Sequence, residues 1–380
     1  MKKTPAENTW AILHYQEHDA IPVLEFGYWE ELVQQEWRDQ GHLTAEECDI
    51  LDSKAPGSWG KVCESISVRL GFDQPFLDTG FATSLFPYFE SRIIRTLPDG
   101  SRHRLDGNGV VLLEVPGVTS IPMEIEHTLV DRASWEKEYL PRLQWDPRRL
   151  GGDDLPARIA AFNSTPDRVR RLNVGSGIGT IRNILGIVGL SYMQADDPDL
   201  LHEIVQTFAE ISYRGVKTLL EMGLRPQAAH YWEDISYNHG PLVSPAFFRE
   251  EVVPVYQRVT SLLREYGCDI VSVDSDGKLD ELVPLFLEGG VNTMFPIEIG
   301  TWKTDFARWR QLYGRELRGI GGMNKLVLTQ DKAAVDAEIE RLKPWIDLGG
   351  YIPCPDHRLP LGTKWELVQY YVETFRKHYS

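Results

Sequence analysis

Cysteine is scarce in this chain of 380 residues: Cys48, Cys63, Cys268 and Cys354 are widely spaced and form no CxxC pair. That spacing excludes the disulfide framework of small secreted domains. Long apolar runs are missing as well. Nothing approaches 18 uninterrupted apolar residues, and the opening MKKTPAENTWAILHYQEH has two lysines but no apolar h-region. Neither a membrane span nor a signal peptide is expected, and the chain reads as a cytoplasmic protein. No lysine- or arginine-rich run occurs and the net charge is −16, so the clustered cations that a phosphate backbone requires are absent and nucleic acid is not an expected partner. There is no repeat of 20–50 residues and no low-complexity segment, which removes solenoids and propellers.

What is present is an ordinary globular composition, 42% hydrophobic and 25% charged, with length enough for a large core. Residues 5–18 predict a short helix, AIPVLEFG (20–27) a buried strand and YWEELVQQEWRDQG (28–41) a helix stopped by glycine. FLDTGFATS (76–84) is a second strand. RIIRTLPDGSRHRL (92–105) reads as a β-hairpin about Pro-Asp-Gly, with GVVLLEV (109–115) adding a strand. The stretch 131–171 is charged and proline-punctuated, with two amphipathic helices. From 171 onward short apolar strands alternate with helices. The longest helix, 197–223, places Leu201, Ile204, Val205, Phe208, Ile211 and Val216 near a 3.6-residue period. Strands at 20–27, 76–81, 171–175, 227–232, 269–274, 291–297, 316–321 and 350–354 make eight. Eight parallel strands joined by right-handed βα units close most simply into a TIM (β/α)8 barrel. The expected architecture is one barrel domain over 1–380, with an N-terminal helical extension and a β-hairpin insertion at about 85–150. An open doubly wound sheet is the alternative, but GSGIGTIRN (175–183) has the wrong glycine spacing for a dinucleotide loop.

Barrel chemistry sits where strands end. The first strand ends in Glu25, Tyr28 and Trp29, and the fourth in Trp232, Glu233 and Asp234, with His239 just beyond. Asp274 and Asp276 follow the fifth, Glu298 the sixth, Asn324 and Lys325 the seventh, and Cys354, Asp356 and His357 the eighth. Each has a plainer reading: an aspartate caps the next helix, a tryptophan packs the barrel, and Glu298 pairs with Lys303 or Arg318. Together they mark candidate chemistry. The candidate catalytic residues are Asp274, Asp276, Glu233, Asp234 and His357. Those facing substrate are Tyr28, Trp29, Trp232, His239, Glu298 and Lys325. Side chains alternate along a strand, so Asp274 and Asp276 are expected to share one face, with a cation, proton or donor between them.

The segments WEDISYNHGPLVSPAFFREEVVPVYQRV, DIVSVDSDGKLDELVPLFLEGGVNTMFPIE, GIGGMNK and GGYIPCPDH together resemble the uroporphyrinogen decarboxylase superfamily, which also contains corrinoid-dependent methyltransferases. The resemblance covers 170–380 and, more thinly, 10–40. It implies a TIM barrel and an enzyme. The decarboxylases carry an arginine-rich segment after the first strand, suited to a substrate with eight carboxylates. Here FGYWEELVQQEW follows Glu25, carries Glu30 and Glu31 and has no arginine before Arg38, and an acidic mouth repels a polycarboxylate. The zinc-dependent methyltransferases carry His-x-Cys-Gly at one late strand end and a further Cys at the last. This chain has Asp274-Ser275-Asp276-Gly277 at the first position and Cys354 at the second, so a zinc site of Asp276, Cys354 and His357 is the implied metal set.

The leading expectation is a methyltransferase moving a methyl group between a small methoxylated or methylated compound and a separate corrinoid protein. No DxHxxG segment exists in the chain, so the corrinoid would arrive on that partner. A cofactor-independent decarboxylase and a non-catalytic binding barrel are the alternatives, and a homodimer is the assembly the superfamily leads one to expect.

Overall fold

The computed structural model describes residues 2–118, 121–300 and 302–380. In chain order the strands are β1 (Phe76–Thr79), β2 (Arg92–Thr96), β3 (Arg102–Leu105), β4 (Val110–Glu114), β5 (Met123–His127), β6 (Val169–Gly175), β7 (Ala228–Trp232), β8 (Ser236–Tyr237), β9 (Gly240–Pro241), β10 (Ile270–Asp274), β11 (Thr293–Ile297), β12 (Arg318–Met323) and β13 (Tyr351–Pro355). The principal helices are α1 (Pro5–Leu13), α2 (Ala45–Ser53), α3 (Ser58–Leu70), α4 (Leu155–Asn163), α5 (Gly179–Asp196), α6 (Pro198–Glu221), α7 (Val253–Glu265), α8 (Val283–Glu288), α9 (Phe306–Tyr313), α10 (Lys332–Asp347) and α11 (Trp365–His378). The chain divides into two compact units, one of Met1–Phe76, Pro166–Val169 and Thr293–Ser380, the other of Leu77–Thr165 and Arg170–Asn292.

In the second unit β6, β7 and β10 pair in parallel, with Arg171 and Ile270 both opposite Ala228. Leu172, Ala229 and Val271 are buried, as expected for parallel strands covered on both faces. Helix α6 starts at Pro198, capped by the Asp197 side chain accepting from the Leu200 amide. All six apolar residues of its expected stripe are buried. The insertion is larger than a hairpin. β2, β3 and β4 form as expected, and β5 completes a four-stranded antiparallel sheet. Met-Glu-Ile-Glu-His offers too few apolar positions for its strand character to show in sequence.

In the first unit β11, β12 and β13 pair in parallel, with Met294 opposite Gly319 and Gly319 opposite Tyr351. Seven of the eight expected strands of the βα alternation are therefore strands. The exception is 20–27. That segment is extended but joins no ladder; it makes one isolated bridge, Tyr28 with Leu359. The Leu359 amide donates to the Gly27 carbonyl and the Trp29 amide to the Leu359 carbonyl. Gly27 has φ +129, which breaks the strand geometry, and the Val23 amide donates to the Asp73 side chain instead of to a neighbouring strand.

The exit of β10 is shaped by the β8–β9 hairpin. Gly277 has φ +93, and a Cβ there would lie 2.6 Å from the Ser236 carbonyl carbon. The Lys278 amide donates to the Tyr237 carbonyl at 3.1 Å, and the Ser236 hydroxyl to the Lys278 carbonyl at 2.7 Å. Gly277→Ala adds both a left-handed strain and a backbone clash, so thermal unfolding should show a loss of about 2 kcal/mol or more; an unchanged Tm would show that the hairpin yields.

Candidate functional site

The strand ends of the second unit are dominated by one carboxylate. Glu233, the residue after β7, is fully buried. Its Oε1 accepts from the Gly177 amide and, at 2.6 Å, from the Tyr256 hydroxyl on α7. Its Oε2 accepts from the Ile178 amide (3.0 Å), the Gly179 amide (2.7 Å) and the Ser176 hydroxyl (3.0 Å). The first turn of α5 leaves its amides without helical partners, and Glu233 supplies the acceptors. Burial holds the carboxyl above its ordinary value, and Tyr256 and the three amides oppose that shift only in part. With both oxygens engaged, Glu233 is built to hold the β6–α5 loop.

Asp234 follows with φ +48, and the Arg182 guanidinium donates to both its carbonyl (2.6 Å) and its Oδ2 (2.7 Å). Trp232 ends β7 opposite Asp274, whose carbonyl accepts the Glu233 amide at 2.8 Å. His239 is exposed at the tip of the β8–β9 turn. β10 ends at Asp274, so the alternation expected to put Asp274 and Asp276 on one face stops there and Asp276 belongs to the following loop. Asp276 does not cap the next helix either: α8 begins after Leu282 with no side-chain cap.

The first unit has its own buried carboxylate of the same kind. Asp356 is fully buried; its Oδ2 accepts the Ile299 (3.1 Å) and Gly300 (2.8 Å) amides, and its Oδ1 the Lys325 amide (3.2 Å) and ammonium (3.1 Å). It ties together the exits of β11, β12 and β13, and it engages Lys325, expected to face substrate. Glu298 accepts the indole N–H of Trp302. His357 stacks on Phe26 (centroids 4.9 Å apart, 29°) and lies 5.7 Å from Trp29, while Phe26 meets Phe295 at 5.0 Å. The Arg358 guanidinium sits 5.2 Å from the Trp29 ring. Trp29 and His357 are thus brought together on an aromatic shelf.

One residue before Phe26 stands Glu25, read from the sequence as an end of the first strand and as part of an acidic mouth. Its Oε1 faces the Ser67 hydroxyl at 3.3 Å, and its Oε2 is buried without a hydrogen-bond partner. Ser67 also donates to the Cys63 carbonyl at 2.8 Å and sits 2.8 Å from the Tyr28 hydroxyl. One serine proton cannot serve both acceptors, and the shorter bond goes to Cys63. A protonated Glu25 can then donate to Ser67. Burial raises the Glu25 carboxyl from 4.5 to about 7, opposed by Ser67 alone. The thiols nearby stay protonated: burial, with Glu25 adding its charge, pushes Cys63 up to about 12 and Cys354 well above the usual thiol range. Tyr28, whose hydroxyl is buried against Ser67, is held far above its usual range by the same burial. Ser67 and Tyr256 both come from helices, where no strand-end pattern points to them.

Among the described residues no group of three or more histidine, cysteine, aspartate or glutamate side chains is arranged to hold a metal ion. The metal set expected from Asp276, Cys354 and His357 is not assembled. Asp276 belongs to the second unit and Cys354 and His357 to the first; Cys354 is a buried thiol, and His357 is stacked on Phe26. The donors do not fit zinc, and no step below runs through a metal.

Parallel βα units with titratable groups at their strand ends place the chain in the α/β class. Residues 180–378 match the family model described as uroporphyrinogen decarboxylase (URO-D), and the chain belongs to that family. A methyltransferase from Methanosarcina mazei has a similar structure (TM-score 0.63, 14% identity, 99% of each chain covered), a likeness of fold. A chain from Listeria monocytogenes, provisionally named a vitamin-B12 independent methionine synthase, gives a TM-score of 0.43 at 13% identity over 95% of this chain and 98% of that one. No match is found among curated proteins.

Two variants separate the carboxylates. Removing the acceptor of five donors, Glu233→Ala should lower stability by about 3 kcal/mol or more in denaturant unfolding. Glu25 is read through its pH dependence. Its folded-state value lies above the unfolded one, so its contribution to stability is full below about 4.5 and is lost as pH rises through about 7. The Tm of wild type should fall across that window, and Glu25→Gln should remove this part of the slope.

Proposed function

We propose that the chain is a methyltransferase that moves a methyl group between a small methoxylated or methylated compound and the corrinoid of a separate protein, on a (β/α)8 barrel formed by the whole chain. The observation that carries this reading is Glu25, a buried carboxyl with a value near neutrality and one partnerless oxygen, one residue before Phe26 of the aromatic shelf. A methyl ether gives up its methyl group only if the oxygen left behind is stabilised. Glu25 would supply the proton: the carbon–oxygen bond would break with its electron pair left on oxygen, which takes the Glu25 proton, and the partner's corrinoid, as the cobalt(I) co-substrate, would supply the electron pair of the new bond to the methyl group. General acids work best when their pKa lies near the working pH. Phe26, Trp29 and His357 offer flat surfaces for an aromatic donor. Likeness in fold to a methyltransferase over the full length of both chains supports the reading.

Decarboxylation of a porphyrinogen is the reading that the family name favours. Against it, Pro22–Trp37 holds Glu25, Glu30 and Glu31 and no arginine to meet a polycarboxylate. The test is anaerobic incubation with cob(I)alamin and a panel of methoxylated aromatics, read by the absorbance of methylcobalamin. Turnover should be lost by about 10²-fold or more in Glu25→Gln. The wild-type kcat/KM should fall above about pH 7, a limb the variant lacks. Release of CO2 from uroporphyrinogen without methyl transfer would overturn the proposal.

A further inference from the structure

The parallel strands of the second unit have two unlike faces. One carries Leu172 and Val174 on β6, Ala229 and Tyr231 on β7, and Val271 and Val273 on β10, all buried. Helices cover it: the Ser212 hydroxyl of α6 donates to the Val174 carbonyl at 2.6 Å, and Tyr231 meets Tyr256 of α7 with ring centroids 4.8 Å apart. Side chains alternate along a strand, so Arg171, Asn173, His230, Trp232, Ser272 and Asp274 stand on the opposite face. In a barrel that face is ordinarily filled with bulky branched residues. Here it is polar, and part of it is open.

Asn173 is the open point. It is exposed although β6 lies between β1 and β7, so solvent reaches it from the face that no helix covers. On the β1 side stands Gly80, whose absent Cβ would lie 3.3 Å from the Asn173 Cβ, which leaves room beside the amide. That amide makes no hydrogen bond among the described residues, and neither does the half-buried Trp232 indole. The charges around them are already matched or absent. The Arg171 guanidinium donates to both Asp78 oxygens, at 2.6 and 2.9 Å. His230, opposite Asn173 on β7, has Nδ1 2.8 Å from the Ser272 hydroxyl, which donates its one proton to the Ala229 carbonyl at 3.2 Å. The imidazole therefore donates through Nδ1 and carries no proton on Nε2. Burial, and after it the Arg171 charge, holds the ring well below its usual range, so it is neutral.

An anion would meet a neutral amide, a neutral imidazole, a guanidinium already paired and, at the end of β10, the Asp274 carboxylate. Nothing there favours negative charge. An uncharged ligand meets an amide that offers a donor and an acceptor side by side. Two residues beyond His230, roughly 7 Å along the neighbouring strand, it meets an indole. We infer that this face of β6, β7 and β10 binds a small uncharged ring bearing hydroxyl groups, the Asn173 amide pairing with a hydroxyl and the Trp232 indole lying against the ring. A hydroxyl donates and accepts as the amide does, and a six-membered ring spans the interval between the two side chains. The site lies wholly within the second unit. It requires neither Glu25 nor a corrinoid, and so goes beyond the methyl transfer proposed above.

Isothermal titration calorimetry of the full chain, with no corrinoid present, tests this with catechol, cyclohexane-1,2-diol and benzoate. At least one diol should bind with a Kd of about 1 mM or tighter, and benzoate about 10-fold or more weakly. Catechol binding alone marks the ligand as aromatic; cyclohexanediol binding as well as or better than catechol marks it as a saturated polyol. Asn173→Leu should weaken the bound diol by about 10-fold or more with unchanged circular dichroism, because the side chain is exposed and holds no other group in place. Trp232→Leu should weaken it too, through loss of the flat surface. The inference is overturned if neither diol binds at about 10 mM, if benzoate binds as tightly as they do, or if both variants bind like wild type.

Discussion

A buried carboxylate placed at a strand end and surrounded by backbone amides is the interaction on which the strand-end architecture depends. Glu233 does this after β7 and Asp356 after β13. In each case the amides belong to a neighbouring loop or helix start whose N–H groups have no partner in their own element. Burying a charge is costly, but several short donors to the ionised form compensate, and the loops are then tied to one geometry. The partners are 54–57 residues away along the chain, so these bonds close large loops.

The same residue type does different chemistry when its donors are withdrawn. Glu233 has five donors and Glu25 has one hydroxyl that it shares. Desolvation acts on both, but for Glu25 little opposes it, so its proton is retained to neutrality. Burial raises both carboxyls, and what separates them is that both Glu233 oxygens are engaged by donors while Glu25 keeps one oxygen without a partner. The buried thiols reinforce it: Cys63 and Cys354 remain neutral and contribute apolar surroundings, which keep the Glu25 environment dry.

Much of the fold was legible in the sequence because apolar periodicity survives in it. β6, β7, β10, β11, β12 and β13 lie where short apolar runs stand between helices, and the stripe of α6 is buried residue for residue. The segment 20–27 looked the same and is not a strand, because an apolar run does not reveal whether its amides meet a neighbour; Val23 meets Asp73 instead. The candidate site was legible in residue type and not in role. Glu233 and Asp356 directly follow strands and Glu25 lies in the segment 20–27 that reads like one, and what distinguishes them is the number of donors brought by distant elements. Ser67 on α3 and Tyr256 on α7 carry no mark of that duty in their own surroundings.

The glycine-rich stretch at 175–180 shows how an exclusion drawn from spacing acquires a positive cause. GSGIG precedes a helix, as phosphate-binding loops do, but its glycines are wrongly spaced for a dinucleotide. In the structure the amides of Gly177, Ile178 and Gly179 do bind an anion, and that anion is the carboxylate of Glu233. Gly179 has to be glycine because any Cβ would overlap the Glu233 carbonyl. The loop is therefore filled from within the chain, and its affinity for negative charge contributes to folding instead of to recognition. Glu25 lies outside such a loop, one residue before Phe26 of the aromatic shelf, and burial raises its carboxyl to about 7 with one oxygen left without a partner.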